Sequence, residues 1–310
     1  MRRLFLLAPL LLAACGAPES DAASGAEEPA TDTSAVSGTV LAPAAALRLE
    51  TSIVADADPR DANDDRDRDG LSDAWETVVL ERFQPLIELD EHEKGLEDSK
   101  FRTGVAARVV PRAGDPSHVV VFFAFAWSED YGSCGLTEHH GDVERAVLEL
   151  ARVPGTAGDA TIVKAFTASH EGDITDKSEK VTGESNLRSH LEFVRDNALG
   201  GPGYRWLVYT SRNKHGTFSS KGSCESKKLF CLADYCGADG VDDKNTLRRL
   251  PPILNAGEPT HPLESSWNLF GYAGVDVWTA KKFCGLATSG DCDAAPRESL
   301  TKDPFTKSDI

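Results

Sequence analysis

A mainly β fold, a β-sandwich with long loops, about two peripheral helices and disulfide bracing, is predicted by three observations. Runs of β-branched and aromatic residues recur along the chain, each bounded by Gly, Pro, Asp or Asn. Only two stretches carry apolar residues at helical spacing. An even set of cysteines follows an export signal, the usual setting for structural disulfides.

The first residues read as a lipoprotein signal peptide over 1–14. Arg2 and Arg3 form a charged start. Leu4 to Leu12 is an apolar run too short to span a bilayer, and Leu12-Ala13-Ala14-Cys15 resembles a lipobox. Cys15 then becomes the acylated first residue of the mature chain, and two or more acyl chains anchor it stably to its own membrane. The alternative is an ordinary secretory signal cleaved beside Ala14. Gly16, rather than an aspartate, follows the cysteine, which points to the outer membrane of a bacterial envelope.

Residues 15–60 are mostly Ala, Ser, Thr, Glu, Gly and Pro and read as a flexible tether, with the more apolar 47–54 as a candidate strand. Residues 61–80 hold an acidic loop and the first helix, in which Leu71, Trp75, Val78, Val79 and Phe83 recur at helical spacing before Pro85. The sandwich occupies 81–310. Its strands are expected at 105–110, 119–127, 143–153, 161–167, 205–211 and 275–279. A second helix is expected at 184–199, on Leu187, Leu191, Val194 and Leu199.

With Cys15 as lipid acceptor, Cys134, Cys224, Cys231, Cys236, Cys284 and Cys292 remain of the seven cysteines, which suits three disulfides of open connectivity. A zinc site from Cys224, Cys231 and Cys236 is the alternative, although no C-x-x-C is present. The formal net charge of −17 repels phosphate backbones, so nucleic acid is excluded as a partner and divalent cations are favoured.

Two segments carry candidate cation sites. The run from Asp65 to Glu76 fits a twelve-residue Ca²⁺ loop, with oxygen ligands at Asp65, Asp67, Asp69, Asp73 and Glu76 and Gly70 at the sharp turn. Leu71 would give its backbone carbonyl. Ser72 stands where paired EF-hands place an aliphatic residue, so the loop resembles the solitary calcium loops of exported bacterial proteins. Its expected role is structural, and a solvated acidic linker is the alternative.

The second segment joins two strand-like runs. Asp130 ends the first, and His139, Asp142 and Glu144 open the second. Strand side chains alternate, so Asp142 and Glu144 share a face with Ala146, Leu148 and Leu150. Carboxylates leading into a buried face are costly unless paired or bound to a cation. Ca²⁺ or Mg²⁺ would satisfy them, with His139 or a water completing the shell. The alternative is ion pairing with Arg145, Arg152 or a lysine.

Trp127 to Glu144 resembles the necrosis-inducing cytolysin family and the related vacuolar-protein-sorting-type β-sandwich proteins. In these an aromatic strand ends in Asp, and H-x-x-D-W-E opens the next. Asp130, His139, Asp142 and Glu144 match, and Val143 stands where the family has tryptophan. Ala165 to Gly172, Tyr209 to Gly216, Phe83 to Ile87 and Asp90 to Lys94 echo further family segments in the same order.

The resemblance implies a sandwich whose four matched residues hold a divalent cation, and a glycan- or membrane-directed, cytolysin-like role. The expected function is recognition of a glycan or lipid head group rather than catalysis. The alternative is a metal-dependent ester or phosphoester hydrolase with His170 or His215 as general base or acid. Neither a G-x-S-x-G elbow nor an H-E-x-x-H helix is present.

Overall fold

The computed structural model describes residues 64–65, 68–96, 103–132, 138–152, 160–169, 171, 176–194, 203–225, 233–236, 248–249, 251, 253–255 and 296–306. Of these, 128, 139–141, 193–194, 203, 248–249, 254 and 296–298 are described by backbone alone. The chain divides into units Met1–Val40 and Leu41–Ile310, and all described residues lie in the second. The signal peptide, Cys15, the tether, the candidate strands at 47–54 and 275–279, Asp67, His170, Cys134, Cys231, Cys284 and Cys292 lie outside the described residues.

The domain is mainly β, in two sheets. Helix α1 (Asp73–Phe83) precedes them and begins where Ser72 accepts the Trp75 amide at 3.4 Å, an N-cap followed by Asp73 and Glu76 in the first turn. Its Trp75, Val79, Leu80 and Phe83 are buried. At its far end Gln84 leaves helical geometry before Pro85, and Arg205 Nη1 donates to the carbonyls of Glu81 and Gln84 at 3.0 and 3.1 Å.

The larger sheet is an antiparallel meander of β2 (Thr103–Arg112), β3 (Asp115–Asp130), β4 (His139–Arg152), β5 (Ala160–Thr167) and β6 (Glu179–Thr182). Strand β11 (Ile253–Asn255) adds to β2 in parallel. The β2–β3 hairpin turns at Ala113-Gly114, and Gly114 supplies the positive φ of 77°. The smaller sheet runs β10 (Arg248–Arg249), β1 (Leu86–Glu88), β8 (Gly203–Thr210), β7 (Leu191–Val194), with β9 (Thr217–Phe218) also on β8. Strands β1 and β8 are parallel, so the loops that follow both emerge at one end.

One core joins the two sheets. Val105, Ala107, Val109, Val121, Phe123, Phe125, Trp127, Ala146, Leu148 and Leu150 of the larger sheet pack with Ile87, Trp206 and Val208 of the smaller and with α1. The other face of the larger sheet is also covered. Ala106, Val120, Phe122, Ala124, Ala126, Val147 and Phe166 pack with Leu300 of the helix Pro296–Thr301 and with Phe305. Burial on both faces explains why residues 119–127 are continuously apolar instead of alternating.

The expected helix over 184–199 is corrected. Helix α2 (Glu184–Ser189) lasts six residues, and Leu191–Val194 is strand β7, paired with β8 through Leu191↔Trp206 and Glu192↔Arg205. Leu187 and Leu191 do have helical spacing, but pairing on an open edge of β8 outweighs a weak local preference. Helix α3 (Lys221–Glu225) carries Cys224, which is disulfide-bonded to Cys236 with Cα atoms 6.0 Å apart. That bond removes the zinc alternative for this pair. Among the described residues no helix is long and apolar enough to cross a membrane.

Candidate functional site at the sandwich rim

Strand β4 starts earlier than its apolar run suggests, so Asp142 and Glu144 lie within it. The register sets Asp142 opposite Trp127 and Glu144 opposite Phe125, which places both carboxylates on the inner face, as their spacing predicts. Glu129 and His140, then Asp130 and His139, pair closer to the rim, and Asp130 is buried, accepting the Gly132 amide at 2.5 Å.

From the smaller sheet comes the loop after β8. Asn213 and His215 both hold positive φ, 64° and 59°, unusual for residues with a Cβ. The loop is closed by Ser211 N donating to Gly216 O at 3.0 Å and His215 N to Ser211 O at 2.9 Å. Gly216 is needed for close approach, since a Cβ there would stand 2.8 Å from Ser169 Oγ. Thr217 then donates from its hydroxyl to Arg145 O at 3.0 Å and from its amide to Ala168 O at 3.2 Å, tying this loop to the larger sheet.

This geometry drives the His215 ring inward to complete burial. It stacks on Trp127, with centroids 4.3 Å apart and planes inclined by 10°. Its Nδ1 lies 3.5 Å from Asp142 Oδ2, and its Nε2 lies 3.7 Å from Glu93 Oε1. Glu93, in the loop after β1, also accepts the amides of Asn213 at 2.5 Å and Gly95 at 3.1 Å.

The electrostatics follow from these positions. Burial alone would lower the His215 pKa, but Asp142 and Glu93 outweigh it and raise it to about 9, so the ring is an imidazolium at neutral pH. Burial alone would raise Glu93, and His215 with the two amides holds it below the ordinary carboxylate range. Glu144 is pushed well above that range, first by burial and then by Asp142, Asp130, Asp234 and Glu171. Glu144 therefore senses Asp142 and Asp130 as like charges.

The two arginines expected as their partners turn elsewhere. Arg145 points to the opposite face and pairs with Glu171, with Nε 2.7 Å from Oε2, while Arg152 lies over the Trp75 ring. Asp234 is held between Lys177 and Lys214 at 3.0 and 3.2 Å, close to the Cys224–Cys236 bond. Lys94, after β1, lies over the Tyr131 ring at 5.8 Å, and Arg212, after β8, lies over the ring of the exposed Tyr235 at 5.2 Å.

Among the described residues no three His, Cys, Asp or Glu side chains converge as a metal-ion cluster. The side chain of His139 and all of Asp67 lie outside those residues. In the acidic loop, Asp65 accepts the amides of Asp69 and Gly70 at 3.1 and 3.0 Å, and Asp69 accepts Leu71 N at 2.8 Å. Gly70 has φ 95°, while Asp73 and Glu76 are buried on α1. Asp64, absent from the expected ligands, accepts Ala74 N at 2.9 Å at the start of this helix.

Sequence reasoning did not single out Glu93, Asp234 or the stacking role of Trp127. Nothing in linear spacing joins Glu93 to His215, because their meeting depends on the parallel pairing of β1 with β8. No family model matches the chain, and no curated protein or solved structure is found to be similar to it.

Proposed function

We propose that this is an envelope lipoprotein, anchored through acylated Cys15 at the outer membrane, whose sandwich rim holds a divalent cation for recognition of a glycan or lipid head group. The observation that carries the reading is the set of carboxylates at one end of the sandwich, Asp130 buried and Asp142 and Glu144 half-buried, with Glu144 pushed toward its neutral form. A bound cation removes that penalty, and hard oxygen donors suit Ca²⁺ or Mg²⁺. The donors fit in kind, and His139 is the remaining ligand in the proposal. Such an ion supplies positive charge that sugar hydroxyls or head-group phosphates can share. The exposed Tyr235, with Arg212 above it, adds an amphipathic contact of the sort recognition surfaces use.

The Asp65–Glu76 segment is proposed as a structural Ca²⁺ loop. Its support is the fold-back of Asp65 onto the Gly70 amide, which draws the first carboxylate over the turn. The hydrolase alternative is less well supported at His215. Both ring nitrogens face carboxylates and the ring is 0 % exposed, so it offers no free lone pair to a substrate.

Metal analysis of the wild-type chain beside Asp142→Asn and Glu144→Gln tests the reading. Each variant is expected to lose one bound equivalent while the acidic loop keeps its own. Glycan-array and liposome binding, with a leakage assay for cytolysis, are expected to fall with chelation. If both variants keep the wild-type metal content, the rim site is refuted.

A further inference from the structure

We infer that Glu93 is a positioning residue of the rim site: its carboxylate orients the His215 ring, and the ring in turn orients Asp142. This rests on the proposed cation site, but the chain of contacts is geometric. Glu93 is 2 % exposed, and its two oxygens accept from Asn213 N and Gly95 N, so its position is set before the ring meets it. The His215 ring cannot tilt freely, because Trp127 lies flat against it. Its two nitrogens then point to opposite carboxylates, Glu93 on one side and Asp142 on the other.

The backbone is shaped around this placement. Positive φ at Asn213 and His215 carries a local conformational cost, and such strain concentrates where a side chain must be aimed. Asn213 serves both ends of the arrangement: its amide donates to Glu93, its Oδ1 accepts Lys94 N at 3.0 Å, and its carbonyl accepts Tyr131 N at 2.9 Å, one residue beyond Asp130. Loops from both sheets are thus joined around the ring. With Glu93 behind it, the ring is held from the side opposite Asp142, so the carboxylate it faces is presented in one orientation. Carboxylate ligands depend on such outer partners for orientation.

The test is calorimetric titration of the metal-free chain with calcium chloride, for wild type, Asp142→Asn, Glu93→Gln and Glu93→Asp. Side-chain nitrogen NMR of His215 is recorded on the same metal-free samples. Asp142→Asn identifies the rim step by removing it. Glu93→Gln is expected to weaken that step roughly 10- to 100-fold, the range for outer-shell partners of metal ligands. Glu93→Asp, which keeps the charge, is expected to recover part of the loss, and it supplies both measurements if the glutamine variant does not fold. A rim step of wild-type affinity in Glu93→Gln overturns the inference.

If wild type and Asp142→Asn bind calcium identically, the cation site itself fails, and the NMR arm decides the contact chain alone. The His215 ring signals must then move in both Glu93→Gln and Asp142→Asn. Ring signals unchanged in either variant overturn it.

Discussion

Glu149 shows how a single buried charge is accommodated on the other face of the larger sheet. Its carboxylate is completely buried and meets Arg112, His118 Nδ1 at 2.8 Å and Lys164 Nζ at 2.8 Å. Burial would raise its pKa, yet Lys164 and Arg112 hold it below its ordinary value of 4.5. A carboxyl depressed in the folded state contributes stability above its unfolded pKa and loses it as pH falls through the folded one. Unfolding free energy is therefore expected to drop below about pH 4.5, with a shallower slope there in Glu149→Gln. At pH 7 that variant is expected to cost about 3 kcal/mol, at the low end for a broken buried pair because the three partners are partly exposed. Urea unfolding across pH 3–7, taken as a roughly even sampling of this window, checks both statements. Equal slopes for the two proteins would remove Glu149 from the account.

Helix α1 is held at its two ends by different means. Ser72 caps its start, a pattern visible in the local sequence. Its last carbonyls are taken by Arg205, more than a hundred residues away in the chain, whose own pKa is lowered to about 10 by burial and by Arg82. Hydrogen bonds from a charged donor contribute roughly 1.5–3 kcal/mol, so Arg205→Met is expected to destabilise by about 2 kcal/mol and to fray the helix end first. Hydrogen exchange at Glu81 to Gln84 is the direct measurement, and unchanged protection there would count against the cap. Helix α2 and strand β7 teach the converse lesson. The spacing of Leu187 and Leu191 is locally helical, but the choice between helix and strand at Leu191 was made by the edge of β8.

For the whole domain, the larger sheet is a layer covered twice, by the smaller sheet with α1 and by the 296–306 segment. The second cover is fastened by Leu300, by Phe305, and by Arg145 Nη1 donating to Lys302 O at 2.6 Å. Ending the chain at residue 295 is expected to expose Val120, Phe122, Val147 and Phe166. Such a patch favours self-association. Hydrophobic-dye binding and sedimentation velocity would show it, and a monomer with wild-type dye binding would mean the cover is dispensable.

Much of this was legible in the chain. Strands β2, β3, β4, β5 and β8 were marked by β-branched and aromatic runs, α1 by its cap and apolar spacing, and the shared face of Asp142 and Glu144 by strand alternation. These are local properties, fixed by covalent geometry and by the period of the backbone. The sequence by itself determined that two carboxylates enter a buried face and must be compensated there. Only the tertiary structure decided what meets Asp142: His215 rather than Arg145 or Arg152, with Glu93 on the far side of the ring and Trp127 stacked against it. The same holds for the residues that cover the outer face and for the partner of Cys224. These meetings join segments far apart in the chain. Which segments meet is set by sheet pairing and packing, and no spacing within one strand encodes it.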